Sequence, residues 1–224
     1  MIYSLPPKEL KRYIERQIDT IIPDGKMAKG MIADSDIEKA LDKCDFCFKH
    51  IKNGAFVDEK KQTYFSHLHA DQYGMFLVYL GSLVWIERRD KLVCDRLMYL
   101  NRVLHSFLMS YKAKVPEIFW LAHPIGSVIG NADYSDYLYI SQNCTINTAG
   151  NGQELKPHIG RFFAMGAGAA LISDKPIGDN CSIGVNALLF NQELKDNSIV
   201  INNNGKNEIL ENREECFAKR MFYI

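Results

Sequence analysis

Hydrophobic spacing divides the chain into two regions. Up to about residue 112 the apolar positions recur at helical intervals. "PPKELKRYIERQIDTII" (6–22) opens with prolines suited to a first helical turn. It then places Leu10, Tyr13, Ile14, Ile18 and Ile21 along one face. "PDGKMAKG" (23–30) breaks that helix. Asp34 or Ser35 caps a second one, with Ile37, Leu41 and Cys44 or Phe48 on its inner face. The polar stretch 52–69 reads as a loop. Two long helices follow over 71–89 and 90–112, amphipathic or largely buried.

After Pro116 the helical period stops, and Gly, Asn and β-branched residues rise. A beat of six replaces it: Ile159, Met165, Leu171, Ile177, Ile183, Leu189. Upstream, Val128, Tyr134, Ile140 and Ile146 keep the same step. Between the two runs, "NTAGNGQELKPH" (147–158) is polar and reads as a projecting loop. Glycine often follows the beat residue, as at Gly160, Gly166, Gly178 and Gly184.

A helix repeats at 3.6 residues and a strand at 2, so six needs another geometry. Each unit is a short extended piece and a bend: the beat residue points inward, and small or φ-permissive residues make the corner. Three units turn the chain through a circuit of about 18 residues, and circuits stack into a parallel β-solenoid. One unit cannot bury its own aliphatic side chain. Stacking makes a column in which each buried aliphatic contributes about 1.5–3 kcal/mol.

The chain has 224 residues, 47% hydrophobic and 24% charged, enough for one large domain or two small ones with real cores. Its net charge of zero removes the electrostatic case for nucleic acid or an anionic membrane surface. There is no apolar run long enough to span a bilayer, and "MIYSLPPKELKRY" is too polar for a signal peptide. A soluble, cytoplasmic protein without membrane insertion is the expectation. Cys44, Cys47 and His50 lack the further ligands a zinc site needs, so the six cysteines read as buried thiols and no metal is expected.

Three stretches carry a resemblance. They are "MGAGAALISDKPIGDNCSIGVNALLF" (165–190), "LAHPIGSVIG" (121–130) and "ISQNCTI" (140–146). Together they resemble the left-handed β-helix hexapeptide-repeat acyltransferases, and the serine acetyltransferases most closely. The motif match covers about 115–201. The resemblance implies an α+β fold: a helical region (1–114), a left-handed parallel β-helix (115–201) and a C-terminal tail (202–224). It also implies acetyl-CoA as donor, O-acetylation of L-serine for cysteine synthesis, and a homotrimer or a hexamer. The tail ending in Ile224 resembles those that seat in a sulfhydrylase partner.

Acetyl transfer from a thioester to a hydroxyl needs a base, oxyanion donors and an apolar track for the pantetheine arm. By resemblance the base is His123. The family's acid directly before it is Ala122 here, and the upstream acid that orients the imidazole has no clear match. Glu117 is the expected substitute, as the acid partner of a triad. The family's Arg-His-Pro on the acceptor's carboxylate side becomes "LKPHIG", which puts Lys156 at the His position and His158 two residues on. Asp71 in "HADQY" (69–73) falls where the family uses an acid near the acceptor's amine, and it also suits a helix cap. Gly166, Ala167, Gly168, Ala169 and Gly184 leave the outer surface bare for the donor, although corners of such a solenoid need small residues anyway. The changed loop and Ala122 keep a second acceptor open, a sugar or nucleotide-linked sugar in surface-polysaccharide synthesis. A γ-type carbonic anhydrase would need three His ligands, and after Pro116 only His123 and His158 are present.

Overall fold

The computed structural model describes residues 1–60, 62–147 and 156–224. Helix α1 (Pro7–Ile21) starts on its proline and buries Leu10, Ile14 and Ile18. Helix α2 (Asp34–Phe48) begins one residue after Ala33, whose N–H donates to the Asp36 carboxylate at 2.9 Å. Helix α3 (Ala70–Arg88) is apolar nearly all round and is buried between α2 and α4 (Lys91–His105). The fourth helix was expected to run to Lys112, but it stops at His105. Ser106 takes a left-handed conformation (φ 57°), and Leu108–Met109 leaves the bundle to pair in parallel with Val128–Ile129. Two residues of sheet pairing and a column position outweigh the helical preference of "FLMSYK".

From Leu108 the chain winds into a three-sided parallel β-helix. Its inward side chains stack in register into three columns. The first is Leu121, Ile140, Met165, Ile183 and Val200. The second is Met109, Ile129, Ile146, Leu171 and Leu189. The third is Tyr134, Ile159, Ile177 and Leu194. Ile129, not Val128, holds the column position: Ile129 is 1% exposed and Val128 39%. A strict step of six counted back from Tyr134 misplaces it because the step from Ile129 to Tyr134 is five. The expected 147–158 loop lies largely outside the described residues. Parallel pairing thus starts seven residues before the expected boundary at 115.

The end of the chain is not a free arm. Ser198–Asn203 turns at Asn204-Gly205 (φ 50° and 87°) and pairs antiparallel with Lys206–Glu211, the primed two-residue turn that matches strand twist. Residues 212–224, including the short helix α5 (Phe217–Met221), then run back across the outside of the prism. Cys216, Ala218 and Phe222 are buried, and Phe222 bridges to Ile51 of the helical region. Ile224 itself is exposed.

His105 closes α4 with its Nδ1 2.7 Å from Asn101 Oδ1 and its ring against Tyr73 and Phe107. Burial lowers its pKa to about 4, so the ring is neutral near pH 7. Between about pH 4 and the unfolded value near 6.5 the unfolded chain binds the extra proton, so stability falls as pH drops through that window. The loss is at most ~3 kcal/mol. Thermal melts at pH 7 and pH 4.5 should show it, and a His105→Gln variant should lose part of the difference.

Candidate active site

The site starts at the first corner of the prism. From the inward residue Leu121 to the next, Ile129, the chain advances eight residues, where most other steps between inward residues are five or six. His123 takes a left-handed conformation (φ 50°), Gly126 follows at φ 76°, and the Ile125 N–H closes a tight turn on the His123 carbonyl at 2.7 Å. Histidine tolerates that region better than most side chains, and such conformations gather at functional positions. The longer corner pushes the imidazole outward, leaving 78% of the side chain exposed.

The start of α3 meets this corner. Tyr79 of α3 fixes the helix on the first coil: its hydroxyl donates to the Glu117 carbonyl at 2.9 Å, and its ring lies 5.0 Å from that of Phe119. His69 is the N-cap, its ring accepting from the Gln72 N–H at 3.5 Å. Asp71, expected as a cap, is instead the second helical residue. Its side chain is only 4% exposed, and Oδ2 lies 3.4 Å from His123 Nδ1. The positive end of the helix dipole favours a carboxylate there. Beside this pair stand Trp120 and Tyr139, whose rings are 5.4 Å apart, with Phe56 and His69 behind them. Burial, reinforced by the Asp71 charge, raises the Tyr139 hydroxyl pKa. Trp120 Nε1 is buried without a hydrogen-bond partner among the described residues.

Glu117, expected as the acid partner, makes no ion pair with His123 among the described residues. Its main-chain N–H binds Asp136, its carbonyl binds Tyr79, and its side chain borders a small cavity with Asp42, Lys43 and Phe46 of α2. The acid that faces the imidazole is Asp71, from 52 residues upstream in sequence. Lys156 and His158 are exposed, and His158 sits in the strand His158–Ile159 on the third side of the prism, beside Asp179 and Asp196. No hydrogen bond or ion pair among the described residues joins either to His123 or Asp71 within one chain.

A groove of about 870 Å³ runs along the first side of the prism. The outward row in register there reads Trp120, Tyr139, Ala164, Ser182, Ile199. Side chains shrink below Tyr139, so the surface hollows out. Gly166, Ala167 and Gly184 line its floor, and Ser141 and Gln142 its upper end, one strand from Ala122 and His123. Gly166 and Gly184 owe their identity to stacking as well: a Cβ at Gly166 would lie 2.9 Å from the Val185 nitrogen, and one at Gly184 3.0 Å from the Val200 oxygen. Gly168 and Ala169, expected on the same track, are elsewhere. Gly168 makes a left-handed corner (φ 72°) against Asn186, and Ala169 is fully buried.

The outer wall of the groove is the returning C-terminal segment, with Phe217 and Arg220 on it. Cys216 anchors this wall: its Sγ lies 3.1 Å from both Ser182 Oγ and the Phe162 carbonyl, and Phe217 packs 5.1 Å from Tyr139. The wall is not among the elements expected from the sequence. Its signal was "NNNG" (202–205), an Asn-Gly between two alternating runs that marks a hairpin. Cys44 and Cys47 are buried and unbridged, and burial pushes the Cys47 thiol up to about 11. Among the described residues no three His, Cys, Asp or Glu side chains gather as a metal site, and no helix is long and apolar enough to cross a membrane.

A scan against protein-family models matches none of them, and a search of the curated proteins finds no match. Solved structures do match. A serine acetyltransferase in complex with cysteine aligns over 94% of this chain and 84% of its own, at TM-score 0.69 and 16% identity. Serine acetyltransferase from Neisseria gonorrhoeae covers 94% of this chain and 83% of its own, at 0.68 and 17%. A serine acetyltransferase in complex with CoA covers 88% and 83%, at 0.62 and 16%. Helices first and a parallel β-helix after them, the chain has the fold of the serine acetyltransferases.

Proposed function

We propose that the protein is an acetyl-CoA-dependent O-acetyltransferase with L-serine as acceptor and His123 as general base. The observation that carries this reading is the exposed His123 imidazole, backed by buried Asp71, one strand from the Ser141–Gln142 end of the groove. The fold it shares with serine acetyltransferases, one of them solved with CoA, supports the same reading.

The groove suits the donor. Gly166, Ala167 and Gly184 let a pantetheine arm lie against backbone, and Arg220 on the wall offers a cation to the donor's phosphates. With Nδ1 turned to Asp71, Nε2 of His123 is free to take the acceptor's hydroxyl proton. The oxygen attacks the thioester carbonyl, the carbon–sulfur bond breaks, and the imidazolium returns its proton to the departing thiolate. Lys156 and His158 would meet the acceptor only from a neighbouring copy. The exposed apolar side chains Ile125, Val128, Val185, Leu188 and Phe190 supply a surface on which copies can pack into the trimer. Docking of a sulfhydrylase would have to use the last residues alone, since Phe222 is held by Ile51 and Tyr137.

Ala122 in place of an acid favours a second reading, in which the acceptor is a sugar hydroxyl and the donor is unchanged. The test is thioester loss from acetyl-CoA with purified protein, L-serine and a panel of sugars and nucleotide-linked sugars. Serine-dependent loss is expected. Loss with a sugar only selects the second reading, and no acceptor-dependent loss overturns both.

A further inference from the structure

We infer that Asp71 is the positioning residue for His123, standing in for the acid that the corner strand lacks; the inference rests on the acetyltransferase reading above. Three observations converge on it. Asp71 Oδ2 is 3.4 Å from His123 Nδ1, and no other acid among the described residues is within ion-pair distance of that ring. The carboxylate is 4% exposed while the imidazole is 78% exposed, so the buried partner sets the orientation of the exposed one. No Lys or Arg among the described residues pairs with Asp71, so its charge is not already claimed.

The chemistry follows from that placement. A carboxylate on Nδ1 selects the tautomer with the proton there, leaves Nε2 basic, and stabilises the imidazolium once formed. Asp71 lies in the first turn of α3, where the helix dipole favours an anion. Among the described residues Tyr139, from the strand Leu138–Ile140, also feels the Asp71 charge, and its raised pKa keeps it neutral. His69, next on α3, is turned to the Gln72 N–H and the Phe56 ring. Removing the Asp71 charge therefore changes the electrostatics of one imidazole.

The test compares wild type with Asp71→Asn and Asp71→Glu. The imidazole of His123 is titrated by NMR, and kcat and acceptor KM are measured against pH. In the Asn variant the imidazole should titrate lower than in wild type, because an opposite charge favouring imidazolium is gone. The acid limb of the kcat profile should move down with it, and kcat should fall roughly 10²–10⁴-fold with acceptor KM within about twofold. Slow hydrolysis of acetyl-CoA without acceptor should fall in parallel, and Asp71→Glu should recover part of each. An unchanged titration, or a rise in acceptor KM at constant kcat and constant hydrolysis, overturns the assignment and gives Asp71 to the acceptor instead. Should Asp71→Asn fail to fold, the titration of Asp71→Glu decides: a ring that titrates as though Asp71 were absent, with activity intact, overturns it too. A shifted titration in a protein with no acetyltransferase activity supports the pairing and removes only the reaction.

Discussion

Replacing His123 by asparagine should lower kcat by about 10²–10⁴-fold, the usual worth of a positioned general base. Asparagine is chosen because it also accepts the left-handed conformation the corner imposes on His123. The side chain is mostly exposed, so the change leaves the core alone, and stability should stay within about 0.5 kcal/mol of wild type. Loss of rate at constant stability separates the imidazole's chemistry from its place in the turn. Steady-state turnover of acetyl-CoA with the accepted hydroxyl compound gives the first number, and a denaturant melt the second. A variant that turns over at the wild-type rate would remove the imidazole from the reaction.

Ile129→Ala should destabilise the prism by about 2–5 kcal/mol, the range for a large-to-small change in a packed core. Ile129 sits between Met109 and Ile146 in the second column and is 1% exposed. Val128→Ala, one residue away, removes a side chain that is 39% exposed and should cost no more than about 0.5 kcal/mol. Urea unfolding of the two variants measures the register at the corner beside His123. Equal costs would undo the assignment of Ile129 as the inward residue.

The solenoid was legible because its signal is local and repeated. Ile159 through Leu189 keep one step, and the structure places Ile159 and Ile177 in the third column, Met165 and Ile183 in the first, Leu171 and Leu189 in the second. The helices up to Arg88 were legible for the same reason, from apolar faces at helical spacing. Errors came where a distant partner outbid a local preference. "FLMSYK" continues a helical pattern, yet Leu108–Met109 gains a sheet neighbour in Val128–Ile129. Val128 keeps the beat, yet the step from Ile129 to Tyr134 is five and moves the inward position to Ile129.

The site divides along the same line. His123 and the small residues of the groove floor could be named from motifs, since each lies within a few residues of its signal. Glu117 was the natural choice of acid because it is near in sequence. Asp71 could not be preferred, since the contact depends on how α3 docks on the first coil through Tyr79 and Phe119. The outer wall of the groove needed the hairpin at Asn204-Gly205 and the anchor at Cys216, which joins residues far apart in the chain.

By itself the sequence determined the two kinds of structure and their order, because hydrophobic periods of 3.6 and of six each select a backbone geometry. It also determined that a histidine would occupy the corner ahead of the repeats. Only the tertiary structure decided which acid faces that histidine and what walls the groove. Both depend on packing between segments that no local spacing records, and a carboxylate held 3.4 Å from an imidazole is set by the docking of a whole helix.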